Sequence, residues 1–240
     1  MKFLKHLLFF VFVIVLSGCG GKKFTKSPVD DIIKGMPTDR VFSVILHDMD
    51  VKGTFFKSYY HQYKVIQEKD PDKPEEEITK WYEVSKAEFE RHADNMGMEI
   101  AHRGEDGKLV KSVSPPGYNR YVGNSRYGSW QQSGSNSFWV FYGQYAFMSS
   151  MFNTLNYPAR RAYWDDYRGN YYGTGRSYYG PTQNGRTPYG TYSDYNQKSR
   201  PNSAWNRNTS SFKQRVASRT SRSSSRYGSS SRSRGGGYGK

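Results

Sequence analysis

From Tyr157 to Lys240 the chain holds a single Val, Ile or Leu, Val216, alongside 12 tyrosines and frequent Gly, Ser, Asn and Arg. No other feature constrains the fold as much. An aliphatic core has to come from the first half of the 240 residues. A stretch so poor in aliphatics is expected not to offset the entropy of ordering its backbone. Residues 157–240 are therefore predicted to be a disordered basic tail. Charge divides the chain in a similar way. Of 21 acidic residues, 18 lie between Asp30 and Asp106, whereas 20 basic residues after Asp106 face only Asp165, Asp166 and Asp194. The net charge of +15 thus belongs to the second half, where Arg replaces Lys as the main cation. One small domain followed by a biased segment is the expected organisation.

Residues 36–117 read as that domain. Val41–Val51 and Thr54–Gln67 are rich in β-branched and aromatic residues, with Lys52-Gly53 as a turn, and predict an antiparallel hairpin. Phe55, Tyr59, Tyr63 and Val65 are assigned to one face of the second strand, with Lys57 and His61 on the other. Glu68–Glu77 is expected to be a charged loop broken by proline, and Ile78–Val84 a third strand. Ser85 stands three residues before Glu88 at the start of a helix-forming run, which is a capping box. The helix is predicted to continue to about Asn95 and stop at Gly97, with Ala87, Phe89 or Glu90, and Ala93 near its inner side. Met98–Ala101 and Leu109–Val113 complete a β-β-β-α-β-β order, closed by Pro115-Pro116-Gly117. The fold class is α+β, a small antiparallel sheet with one helix.

Catalytic signals are sparse. His47, Asp48 and Asp50 cluster at a strand end, and His61, His92 and His102 are scattered through the same domain. None has the spacing of a metal site, and all are expected at the surface. The chain has no Gly-X-Ser-X-Gly elbow and no phosphate-binding loop. The sequence reading thus names no catalytic residue, metal or cofactor. A hydrolase built on His47, Asp48 or Asp50 is the least favoured class.

Residues 118–156 combine an aromatic loop with the apolar run Phe138–Phe152. As a helix that run would be about 22 Å long, short of the roughly 30 Å needed to span a bilayer. It is expected either to pack on the domain, to lie at a membrane interface, or to bind a partner. Interfacial contact would use Phe138, Trp139, Phe141, Tyr142 and Phe147.

At the N-terminus Lys2 and Lys5 precede ten apolar residues, Leu7–Leu16, followed by Ser17, Gly18 and Cys19. This is the layout of a secretory signal. Leu16-Ser17-Gly18-Cys19 resembles the lipobox of bacterial lipoprotein precursors. The resemblance implies cleavage between Gly18 and Cys19, removal of residues 1–18, and acylation of Cys19 as the new N-terminus. Residues 19–35 would then be a lipidated linker. Gly20 is not the aspartate that retains such proteins at the inner membrane, so the outer membrane is favoured in an organism with two. Cys19 is also the only cysteine, so no internal disulfide can form.

An exported chain meets lipopolysaccharide, peptidoglycan or teichoic acid before it meets nucleic acid. Arginine's bidentate fork suits their phosphate and carboxylate groups. Arg215, Arg219, Arg222, Arg226, Arg232 and Arg234 are the candidate polyanion contacts. The expected function is that of a non-enzymatic, lipid-anchored envelope protein whose basic aromatic segment contacts an anionic envelope polymer or membrane surface. The alternative is an accessory or ligand-sensing subunit docked on an integral membrane protein.

Overall fold

The computed structural model describes residues 27–207 except Thr54, Pro71 and Asp72. Its fold is α+β. Helix α1 (Pro28–Lys34) leads into strands β1 (Phe42–Lys52), β2 (Ser58–Asp70), β3 (Lys73–Ile78) and β4 (Tyr82–Val84). Helix α2 (Lys86–Arg91) and strands β5 (Glu99–Arg103) and β6 (Leu109–Val110) follow. A separate hairpin, β7 (Gly128–Ser133) and β8 (Asn136–Phe141), precedes a 3-10 turn (Gly143–Tyr145) and helices α3 (Phe147–Met151), α4 (Arg161–Asn170), α5 (Asp194–Ser199) and α6 (Ala204–Arg207). The main sheet is antiparallel, in the order β3-β2-β1-β5-β6.

Strand β4 shares the outer edge of β2 with β3. The two are spliced at Thr79, whose amide donates to the Tyr63 carbonyl and whose hydroxyl accepts from the Tyr63 amide. The expected third strand is therefore two. The expected charged loop at 68–77 is largely ladder, with β3 as an exposed edge strand. Pro74 and the pairs Lys64–Glu76 and Lys69–Glu75, both 2.7 Å, occupy that edge. Proline and charge block further strand addition there.

Ser85 caps α2 as expected, its hydroxyl accepting from the Glu88 amide at 3.1 Å. The Glu88 carboxylate turns instead to Arg91 and His92, and the helix is shorter than predicted. Phe89 and Ala93 face inward, while Ala87 is exposed. Helix α1 occupies part of the expected 19–35 linker and packs Val29 and Ile33 into the core.

Each face of the sheet has its own core. On one, Phe42, Val44, Leu46, Met49 and Tyr63 meet Val29 and Ile33 of α1, Phe89 of α2 and Trp205 of α6. On the other, Ile45 and Ile66 are covered by Tyr118, Tyr121, Tyr127, Tyr145, Tyr167, Tyr178, Tyr189 and Tyr195, with Trp139, Phe141 and Phe152. The expectation of a disordered tail from Tyr157 is thereby corrected for residues 157–207, which are folded; residues 208–240 lie outside the described residues. Packing also runs straight through the domain end expected at Gly117.

A tyrosine core works because a Tyr ring buries about as much apolar surface as Phe, provided its hydroxyl finds a partner. Here Tyr118 and Tyr189 hydroxyls pair at 2.8 Å, Tyr121 donates to Glu68 at 3.0 Å, Tyr178 to the Tyr163 carbonyl at 2.8 Å and Tyr179 to Asn95 at 2.6 Å. Ring contacts link the layer edge to face, for example Tyr118–Tyr189 at 5.8 Å and Tyr121–Tyr127 at 5.1 Å.

The apolar run 138–152 is not one helix. Gly143 lies between strand β8 and the short helix α3, and Trp139 and Phe141 are in the core. The interfacial-helix expectation is corrected accordingly. Phe138 is half-buried, and Tyr142 and Phe147 remain exposed.

Candidate functional site

Cys19, Gly18 and the arginines 215, 219, 222, 226, 232 and 234 lie outside the described residues. The histidines and acids of the small domain are described, and they have separate environments. Asp48 follows a β-bulge at His47 and is buried. Its carboxylate accepts from the Ala204 amide at 2.7 Å and the Trp205 amide at 3.2 Å, capping α6 across 156 residues of chain. It also accepts from the Met49 amide. Asp48 is thus engaged as a helix cap, and burial still pushes its carboxyl above the usual range. Asp50 accepts from the Val51 amide, and burial, with Arg200 and Lys64 nearby, lowers His47 to about 3.

His61 is not at the surface. It is fully buried, stacked on Phe89 at 5.4 Å, with Nδ1 3.1 Å from the Tyr63 hydroxyl and its ring 6.0 Å from that of His92. Its position has the same parity as Tyr59 and Tyr63, so the pleat places all three on one face. Burial lowers its pKa to about 3, with His92 adding to the effect. Glu88, held by its hydrogen bond to His92, is lowered to about 2.

His102 belongs to a second polar cluster. An extra residue in β5 at Ile100 brings Glu99 round to the His102 side, leaving Glu99 Oε1 3.3 Å from His102 Nδ1. Glu99 is completely buried and also accepts from the Asn119 amide, which itself donates to Ser114 Oγ at 2.8 Å. Tyr167 closes the network by donating to Asn119. This cluster ties the sheet to the tyrosine layer. Among the described residues no group of three or more His, Cys, Asp or Glu is arranged to hold a metal ion.

The arrangement best suited to hold a ligand lies within residues 157–194. A cleft of about 220 Å³ is lined by Tyr157, Arg160, Tyr163, Arg186, Tyr192 and Asp194, among others. Arg160 is fixed over the Tyr163 and Phe138 rings, 5.5 and 6.0 Å from their centroids. Arg186 is presented by a tight hairpin in which Gln183 and Arg186 exchange backbone hydrogen bonds of 2.8 and 2.9 Å. Its two turn residues, Asn184 and Gly185, have φ of 50° and 73°, the left-handed pair that an Asn-Gly turn supplies. No family model, curated protein or solved structure matches the chain.

The charged residues of the lining are two arginines and one aspartate, Asp194, a balance that favours an anion. Its volume is below the roughly 300 Å³ at which pockets begin to enclose a drug-sized molecule. It has room for one phosphate- or carboxylate-sized group. The arginines expected from the sequence to contact a polyanion, at residues 215–234, lie outside the described residues, and Arg160 and Arg186 are not among them. The available signal was Asn184-Gly185, a hairpin turn inside a stretch read as disordered.

Proposed function

We propose that this protein is a non-enzymatic envelope lipoprotein, anchored by lipid at Cys19, that holds an anionic envelope polymer against the membrane. The observation that carries the reading is the Tyr/Arg cleft, where two arginines set among tyrosines face outward from a folded layer. Arginine pairs with phosphate or carboxylate through parallel hydrogen bonds, and tyrosine offers flat, amphipathic surface beside it. Residues 208–240, with eight basic residues and no acidic one, would add long-range attraction.

The test is binding of the purified chain to lipopolysaccharide, peptidoglycan and teichoic acid in turn, at low and high salt. Arg160→Ala together with Arg186→Ala should weaken binding to one of these by roughly a hundredfold, since a hydrogen bond to a charged group contributes about 1.5–3 kcal/mol. Truncation after Arg207 should mainly reduce the salt dependence. Binding that ignores both changes would refute the reading. The alternative, a subunit docked on an integral membrane protein, draws on one observation. Val140, Tyr142 and Phe147 are each more than two-fifths exposed. Co-purification of a single membrane protein, lost on changing Tyr142 and Phe147 to Ser, would favour it.

A further inference from the structure

The most exposed apolar side chains on the described surface are two neighbours, Phe55 and Phe56, each 94% exposed. They sit at the tip of the β1–β2 hairpin, beyond the last pair Lys52–Ser58. The tip is a shaped turn. Gly53 has φ of 90°, and a Cβ there would stand 2.0 Å from the Phe56 carbonyl oxygen, so only glycine fits. Lys52 and Lys57 bracket the two rings, with Lys52 Nζ lying over the Tyr60 ring at 5.0 Å. Two rings almost fully in water, on a turn that glycine holds in place, mark a contact surface rather than a packing accident.

We infer that this tip is a second membrane contact, in which Phe55 and Phe56 enter the bilayer interface while Lys52 and Lys57 meet anionic headgroups. Aromatic side chains bracketed by lysines are the composition that binds at that depth. The start of the described chain points to the same occupant. Ser27 lies beside the Glu88 carboxylate, and the next residue, Phe89, packs on Tyr59 at 5.1 Å, at the tip end of β2. The chain therefore enters the fold on the half of the sheet nearest the tip. The eight residue steps from Cys19 to Ser27 can reach at most about 28 Å. A lipid on Cys19 would hold the tip within reach of the same bilayer. This orientation rests on the anchoring reading proposed above; the contact itself does not.

The lone thiol of Cys19 permits a test that separates the two. The chain from residue 19 loses no described element, because the described fold begins at Ser27. It can be coupled through Cys19 to vesicles of phosphatidylethanolamine and phosphatidylglycerol carrying a trace of maleimide lipid. Amide hydrogen exchange is then followed by mass spectrometry. Exchange across residues 52–58 should slow by about tenfold on vesicles relative to free protein, and the slowing should persist in high salt. It should vanish in Phe55→Ser/Phe56→Ser, which stays folded because neither ring touches the core. Unchanged exchange at the tip, or equal slowing in the double variant, overturns the contact. Whether cells acylate Cys19 is read independently, by palmitate labelling of wild type against Cys19→Ser.

Discussion

Acid should unfold this protein through His61, and the structure sets the size of the effect. The imidazole is 0% exposed, and burial holds its pKa at about 3 against an ordinary 6.5. Between those values the unfolded chain carries a proton that the folded chain refuses, so stability falls as pH drops through that window. At 1.36 kcal/mol per pH unit of the gap, the loss is about 2 kcal/mol at pH 5 and approaches about 5 kcal/mol near pH 3. Glu88 acts in the same direction but lower down. Its pKa of about 2 means its contribution is intact above its usual 4.5 and fades only below it. From pH 6.5 to 4.5 the loss comes from the buried histidines, His61 and the less buried His47, while Asp48 and Asp94, whose carboxyls burial raises, act in the opposite direction; comparison with a variant lacking His61 cancels these other groups.

Urea unfolding of wild type and His61→Leu at several pH values in that interval is the assay. Leucine has no proton to take up and roughly preserves the packing on Phe89. It also leaves the Tyr63 hydroxyl unpaired, so the variant should be less stable at pH 7 by about 1–2 kcal/mol. The informative quantity is the slope. Wild-type stability should fall by more than 1 kcal/mol per pH unit below 6.5, and the variant's slope should be shallower by about 1.4 kcal/mol per unit. Equal slopes would mean that His61 accepts its proton in the folded state, and the argument from burial would fail.

Two further outcomes follow from particular contacts. Asp48→Ala removes the cap of α6 and leaves the Ala204 and Trp205 amides without their acceptor, which should cost about 2–4 kcal/mol in denaturant unfolding. Trypsin should then cut faster after Lys198 and Arg207 than in wild type. Gly123→Ala adds a methyl group 2.3 Å from the Trp164 ring at a φ of 80°, so it should cost at least about 2 kcal/mol and alter the near-ultraviolet circular dichroism of the aromatic layer.

What could be read from the sequence was what depends on neighbours in the chain. The β1–β2 hairpin follows from dense β-branched and aromatic residues on both sides of Gly53, and the Ser85 cap from a three-residue spacing. The tyrosine layer was hidden by a premise, that an ordered core needs aliphatics. Tyr118, Tyr167 and Tyr189 pack as Phe would, and each hydroxyl is bonded to another side chain of the fold. Asp48 pairing with Ala204 and Glu99 pairing with Asn119 are long-range juxtapositions that no local pattern announces. The expectation of a surface His61, on the face opposite Tyr59 and Tyr63, fails on strand parity: all three positions are odd-numbered and share the inward face. Phe55 reads as part of the second strand because the local composition fits a strand; the turn that carries it outward depends on the conformation of Gly53.

The folding of residues 157–207 divides the basic half of the chain by task. Arg200 lies at the sheet, its guanidinium near Asp48 and Glu76, and burial lowers its pKa. Arg168 and Arg176 lie over Tyr172 and Tyr171, at 3.7 and 4.6 Å. These arginines are engaged by the fold itself, whereas Arg160 and Arg186 line a cleft. Arg160 stacks on rings as well, but with Arg186 it lines the cleft, so the charge turned to that cavity is small and localised, and a larger reserve is the eight basic residues after Arg207. A uniform cationic brush would lose affinity in proportion to the charges removed, wherever they were removed. A cleft backed by a diffuse segment behaves differently. Loss of two arginines in the cleft should remove selectivity among polymers, and loss of the last 33 residues should remove mostly salt-sensitive attraction. Deleting everything from Tyr157 cannot distinguish these cases, because it also strips one face of the sheet of its core.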